Sequence, residues 1–189
     1  SSSDLNNIIN KEFYSKLGME NLGYLPLNRV DIKRIVPTEN DFEFRSQVLR
    51  GYVHDMGAAM QGGVGGHAGL FSNANDLAKI MQMYLQKGEY GAETFLSDKV
   101  VNEFIKCHFC RNENRRGLGF DKPALEGQEG GPTCNCISLL SFGHTGFTGT
   151  LAWADPKSQI VYIFLSNRIH PDASNKKLLD MNVRTEIMQ

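Results

Sequence analysis

A chain of 189 residues is long enough to bury one real core and short for two. With 41% hydrophobic and 22% charged residues and a net charge of −1, its composition is that of an ordinary globular protein, without the basic excess that holds a phosphate backbone or an anionic membrane. No apolar run approaches the roughly 20 residues a membrane span needs, so neither a nucleic-acid partner nor a membrane span is expected.

The opening "SSSDLNNIIN" lacks the basic and apolar regions of a signal peptide and begins abruptly on a helical pattern, as a fragment would. Leu5, Ile8, Ile9 and Phe13 recur at helical spacing and Gly18 follows as a stop, predicting a helix over roughly 4–17. From Glu20 to Arg50 periodicity is poor, with two prolines and mixed charge; a stretch this long without clear elements reads as functional or scaffold-wrapping chain. Six glycines then fall between Gly57 and Gly69, where backbone bends sharply or approaches another group closely. Ser72 reads as an N-cap, Leu77, Ile80, Met81, Tyr84 and Leu85 as an apolar stripe, and Gly88 as the stop of that helix. Ser97 begins a further predicted helix with Val100, Val101, Phe104 and Ile105 inward.

After a loop rich in glycine, proline and charge (112–133), β character takes over. "TLAWAD" and "QIVYIFLSN" read as strands joined by "DPKS", with Pro156 at the second position of a tight turn. Ile160 to Leu165 is apolar throughout, which predicts a central strand covered on both faces. Leu179, Val183 and Ile187, four apart, predict a closing helix over one face. Helices, then an antiparallel hairpin, then a helix amount to an α+β arrangement or half of an α/β sandwich.

Several features could carry chemistry, and each has a plain structural reading beside it. "GVGGHA", Gly63 to Ala68, satisfies the relaxed dinucleotide pattern, but no apolar strand precedes it and the helix starts several residues late, which disfavours a nucleotide-binding oxidoreductase. His54 and His67 flank this loop and read as hydrogen-bonded structural residues, and Asp55 and Asp76 as turn and helix-terminus residues. The four cysteines fall in two close pairs, Cys107 with Cys110 and Cys134 with Cys136. Disulfides, which would imply an oxidising compartment, or free thiols outrank a zinc site, because the one-residue gap of the second pair is too short for a zinc knuckle. No metal and no cofactor are expected.

The stretch "SFGHTGFTGTLAWADP", 141–156, poses the sharpest question. His144 and Gly146 would share one face of a strand, with Thr145 on the other, and Gly146 would leave room for a ligand at the strand edge. A histidine there can donate, accept or carry charge near neutral pH. The plain alternative is a strand entry with a satisfied histidine.

Taken together, these segments resemble a known family. "FGHTGFTGTLAWADP", followed by "IVYIFLSNR" and a C-terminal helix, looks like the K-T-G strand of the penicillin-recognising serine enzymes, with His144 in place of lysine. "GGHAGLFSNANDLAKIM", "FYSKLGM" and "GYVHDMGAA" resemble segments of the class C β-lactamase-related and penicillin-binding-protein-like serine hydrolases, and in detail the β-lactamase-like domain attached to some bacterial β-N-acetylglucosaminidases. The resemblance implies a β-lactamase/transpeptidase-like α/β (α+β) fold, here its C-terminal portion with antiparallel strands and flanking helices. It also implies acyl-enzyme hydrolysis of an amide, β-lactam or ester, such as a D-amino-acid peptide, by an activated serine. In that frame His144 would position substrate and tune charge, Thr145 and Gly146 would line the substrate edge, and the Phe147 backbone N–H would be one of two oxyanion donors.

Two of the family's three motifs do not occur. The only S-x-x-K is "SNKK", Ser174 to Lys177, which lies after the hairpin and is expected by chance; no Tyr-x-Asn or Ser-x-Asn occurs. The expectation is therefore that residues 1–189 form a single partial domain lacking the nucleophile-bearing N-terminal part, inactive alone. The resemblance further implies the bacterial periplasm or cell envelope, a small-molecule or peptidoglycan-type substrate, and an attached glycosidase domain. A missing N-terminal part would leave a sheet edge through which the chain could form a homodimer. The rival readings are a non-catalytic binding module of the same fold and a structural module supporting the glycosidase.

Overall fold

The computed structural model describes residues 5–128 and 130–189. The chain forms two compact units: the residues up to Asp76 together with Ser166–Lys176, and Leu77–Leu165 together with Lys177–Gln189.

In the first unit the predicted N-terminal helix is shorter and irregular. Helix α1 (Leu5–Ile9) runs into a π-helical turn, Asn10–Tyr14, and a closing turn at 15–18. The wider turn rotates the register, so the buried residues are Tyr14 and Leu17, while Leu5 and Ile8 stay exposed. The aperiodic stretch after it contains a hairpin the sequence pattern did not reveal, β1 (Pro37–Asp41) paired antiparallel with β2 (Gln47–Arg50). Its polar composition hides it, and a charged cluster fixes it. Arg45 Nε donates to Asp41 Oδ2 at 2.6 Å, while Arg45 Nη1 and Nη2 reach the carbonyls of Val53 and His54. Glu39 lies beside both Arg45 and His54 Nδ1, the latter at 2.8 Å. Asp55 caps the short helix α2 (Met56–Met60) by accepting from Ala58 N.

Helix α3 (Ala74–Leu85) begins one residue later than expected, because the cap is Asn73 and not Ser72: Asn73 Oδ1 accepts from Asp76 N at 2.8 Å, whereas the Ser72 hydroxyl donates to the Asn73 carbonyl. Asp76 in the first turn accepts from Asn21 N at 2.7 Å, the helix-terminus role predicted for it.

In the second unit Met81 and Leu85 of α3 form a buried cluster with Phe142 and Ala154, with Ile80, Tyr84, Ile105, Phe120 and Val161 packed around it. The rings of Tyr84, Phe120 and Phe142 follow one another edge to face at 5.2 and 5.3 Å. A two-residue strand pair, β3 (Glu89–Tyr90) and β4 (Glu93–Thr94), precedes α4 (Asp98–Ile105). Ser97 caps α4 as expected, by accepting from Val100 N. Of the four residues predicted inward on α4, Val101 is buried and Ile105 packs on the core, but Val100 and Phe104 are exposed.

Strands β5 (Phe142–Thr145), β6 (Leu151–Asp155) and β7 (Ile160–Phe164) form an antiparallel sheet in that order. The central strand is therefore β6, not the apolar run of β7, which is an edge strand among the described residues with Ile160 exposed. Continuous hydrophobicity in β7 signalled a covered strand, but burial follows position in the sheet: Leu151, Trp153 and Ala154 of β6 are each 1% exposed. The predicted C-terminal helix is two short ones, α5 (Lys177–Asp180) and α6 (Val183–Met188), broken where Asn182 adopts a left-handed conformation (φ 50°). Tyr162 Oη donates to the Arg184 carbonyl and Arg184 Nη1 to the Thr150 carbonyl, which ties α6 to the sheet. No described helix is long and apolar enough to cross a membrane.

Candidate active site

The stretch singled out in the sequence forms β5 and the turn after it. Phe142, fully buried, anchors the strand in the core. The next position must be glycine: a Cβ on Gly143 would lie 2.2 Å from the Ala152 carbonyl oxygen and 2.5 Å from the Trp153 ring. Gly143 also exchanges backbone hydrogen bonds with Asp121, N to O at 2.7 and 3.1 Å, on the edge away from β6. Thr145, two residues on, turns its main-chain groups toward that same edge.

His144 is exposed, opposite Ala152 in the register. Its Nδ1 lies 2.7 Å from the Thr145 carbonyl oxygen and its Nε2 lies 2.7 Å from Arg116 Nη1. Arg116 lies in a charged loop whose residue pattern does not mark it out. Asp121 holds it in place. The buried Asp121 carboxylate takes a two-point contact from Arg115, Nε to Oδ1 at 2.8 Å and Nη2 to Oδ2 at 3.0 Å, while Arg116 Nε sits 3.5 Å from Oδ1. The signal available in the sequence was the double arginine of "ENRRGLGF", a few residues before a strand-like bridge.

Gly146 lies in the turn, outside the strand, with its N–H donating to the Thr150 carbonyl at 2.8 Å. The space its missing side chain leaves is taken by the chain itself, since a Cβ there would fall 2.2 Å from Thr150 Oγ1. Phe147 follows at the tip, 63% exposed. His144 and Phe147, both exposed, and Thr145 and Gly146, both half-buried, thus form one continuous strand end and turn.

The remaining candidates are structural. Ser174 of "SNKK" sits in a turn, its N–H bonded to Asp172 Oδ1. The glycine loop follows a helix instead of a strand, and Tyr24 Oη donates to the Gly65 carbonyl at 2.7 Å, which burial and a raised Tyr24 pKa accompany. His67 Nε2 lies 3.0 Å from Asp55 Oδ1; the Ala58 amide first, then His67, hold the Asp55 carboxyl below its usual range. Both cysteine pairs are joined as disulfides, Cys107–Cys110 and Cys134–Cys136. Among the described residues no three of His, Cys, Asp or Glu are placed to hold a metal ion. A shallow depression in the second unit, lined by residues such as Asn135, Ser138, Asp155 and Ser158, includes none of residues 144–147.

Chemically, the strand end offers an imidazole, a fixed guanidinium beside it, a threonine and main-chain groups of a tight turn, with no nucleophile paired to a base. The β-lactamase family model matches residues 4–183. A Salmonella paratyphi B protein named for a D-alanyl-D-alanine carboxypeptidase is 37% identical over 136 residues, covering 71% of this chain and 31% of the relative. The chain thus spans about a third of the length of the curated relatives it matches. Among solved structures, a β-lactamase from Mycobacterium bovis superposes with a TM-score of 0.54 at 18% identity, over 93% of this chain and 56% of that one. A penicillin-binding protein homologue from Caulobacter crescentus gives 0.55 at 16% identity, over 87% and 47%. At these identities the structural likenesses speak for the fold.

Proposed function

Because the chain belongs to the β-lactamase family, the β-lactamase-like and penicillin-binding-protein-like serine hydrolases, we propose that it supplies one wall of an acyl-transfer site. The observation that carries this reading is the His144-Thr145-Gly146 strand end, with His144 exposed and its two neighbours half-buried, held by a core-anchored Phe142 and a turn that closes on Thr150. In this role Thr145 and Gly146 line the edge along which substrate lies, and the Phe147 N–H is one of the donors that stabilise the tetrahedral oxyanion; one such donor is worth about 3 kcal/mol in a transition state. The substrate is an amide, ester or β-lactam of the D-amino-acid peptide type. The name of the Salmonella relative supports that class, and the paired cysteines support an oxidising compartment such as the cell envelope.

The 189-residue chain acts as a partial domain. It contains no S-x-x-K outside the Ser174 turn and no Tyr-x-Asn, so the attacking serine and its proton acceptor come from elsewhere. Intact-mass analysis after incubation with a reactive β-lactam tests this: no adduct is expected on this chain, and a stoichiometric acyl adduct would overturn the assignment. A full-length relative carrying S-x-x-K should acylate under the same conditions and lose that reactivity when the Phe147 turn is deleted.

A further inference from the structure

We propose that Arg116 is a positioning residue that locks His144 as the neutral Nδ1–H tautomer and itself supplies the fixed positive charge of this strand end. A guanidinium only donates, so at 2.7 Å from Arg116 Nη1 the His144 Nε2 must accept and carries no hydrogen. A carbonyl oxygen only accepts, so at 2.7 Å from the Thr145 oxygen the His144 Nδ1 must carry the hydrogen. The two contacts demand the same tautomer. A doubly protonated ring would satisfy only one of them and set two cations against each other.

Arg116 is itself held. Its Nε lies 3.5 Å from Asp121 Oδ1, its backbone N–H donates to Asn114 Oδ1 at 3.0 Å, and Asp121 is joined to Gly143, the residue before His144. A line of contacts therefore runs from a buried carboxylate through the guanidinium and the imidazole to the backbone of the strand edge. Where the resembling motif has a lysine, the cation here is a guanidinium that stands one contact behind position 144. The Nε2 lone pair is engaged by Arg116 Nη1.

This inference rests on the acyl-transfer reading only for its purpose, and its test needs no substrate. The chain would be labelled with ¹⁵N-histidine and the ring nitrogens recorded by long-range ¹⁵N–¹H correlation at a pH well above the imidazole range. His144 would be assigned by loss of its signals in His144→Gln. The expected wild-type pattern is a protonated Nδ1 and an unprotonated Nε2. In Arg116→Ala the ratio of Nδ1–H to Nε2–H should fall by about three- to tenfold, the share of one charge-assisted hydrogen bond at a half-exposed site. Arg116→Lys, which keeps a cationic donor, should retain most of the Nδ1–H form. An Nε2–H pattern in the wild type would overturn the proposal without any variant, as would an Arg116→Ala spectrum identical to wild type or an Arg116→Lys spectrum matching the alanine variant. Failure of the acylation experiment leaves this result standing, so the two readings fail separately.

Discussion

Trp153 Nε1–H donates to Ser141 Oγ at 2.9 Å, with the two residues 1% and 0% exposed. An indole N–H sealed in the centre of the β6 face has no water to turn to. In Ser141→Ala it would lose its acceptor, and an unsatisfied buried donor costs about 1–3 kcal/mol. Trp153 is the sole tryptophan, so urea unfolding followed by its fluorescence reads the change at its source. A midpoint equal to wild type would show that the hydrogen bond contributes nothing.

Gly143 offers a contrast within one substitution type. Gly143→Ala would drive a methyl into the Ala152 carbonyl and the Trp153 ring, both too rigid to give way, so the β5–β6 pairing should fail and the variant should lose cooperative unfolding. Gly66 has nothing within 4 Å of a built Cβ and needs no left-handed backbone, so Gly66→Ala should match or slightly exceed wild-type stability. Thermal melts of the pair decide it, and equal melting temperatures would mean that Gly143 is not the tight position described here.

How far the sequence reached is visible in these same residues. Apolar spacing located α3 and α4, and turn chemistry located the β6–β7 hairpin, because both are local signals. Strand order is not local: β7 is more hydrophobic than β6, yet β6 is central, since pairing on both sides depends on where β5 closes. The β1–β2 hairpin escaped notice because Arg45, Asp41 and Glu39 hold it with charges where a pattern search looks for alternating apolar residues. His144 was legible through its motif. Arg116 was not, because its partner lies 28 residues away and only the Asp121–Gly143 bridge brings them together.

The charged hairpin makes an acid-side prediction. Hydrogen bonds from Arg45 first, then the Phe44 amide, hold the Asp41 carboxyl below its unfolded value of 3.8. A depressed carboxyl contributes stability above the unfolded pKa and loses it as pH falls through the folded one. Stability of the wild type should therefore drop more steeply below about pH 4 than that of Asp41→Asn, which has no proton to take up there. Parallel acid limbs in urea midpoints for the two proteins would remove Asp41 from the account.

Lys122 makes a basic-side prediction, in which the charged form is the destabilising one. Burial pushes its ammonium down from 10.5 to about 8, only partly offset by attraction to Asp155, while Nζ donates to the Leu140 carbonyl at 3.0 Å. Below pH 8 the lysine is charged in both states and the folded protein bears the cost of desolvating it. Between about 8 and 10.5 the unfolded chain binds the proton and the folded one does not, so stability rises with pH across that window. At about 1.4 kcal/mol per pKa unit the full rise approaches roughly 3 kcal/mol. Lys122→Met fills a similar volume without a charge, so its stability should stay flat where the wild type climbs, and it should be the more stable protein near neutrality if the lost contact to Leu140 costs less than the buried charge. Urea midpoints taken at intervals from neutrality to pH 10 distinguish the cases. A variant that climbs in step with wild type would place the titrating group elsewhere.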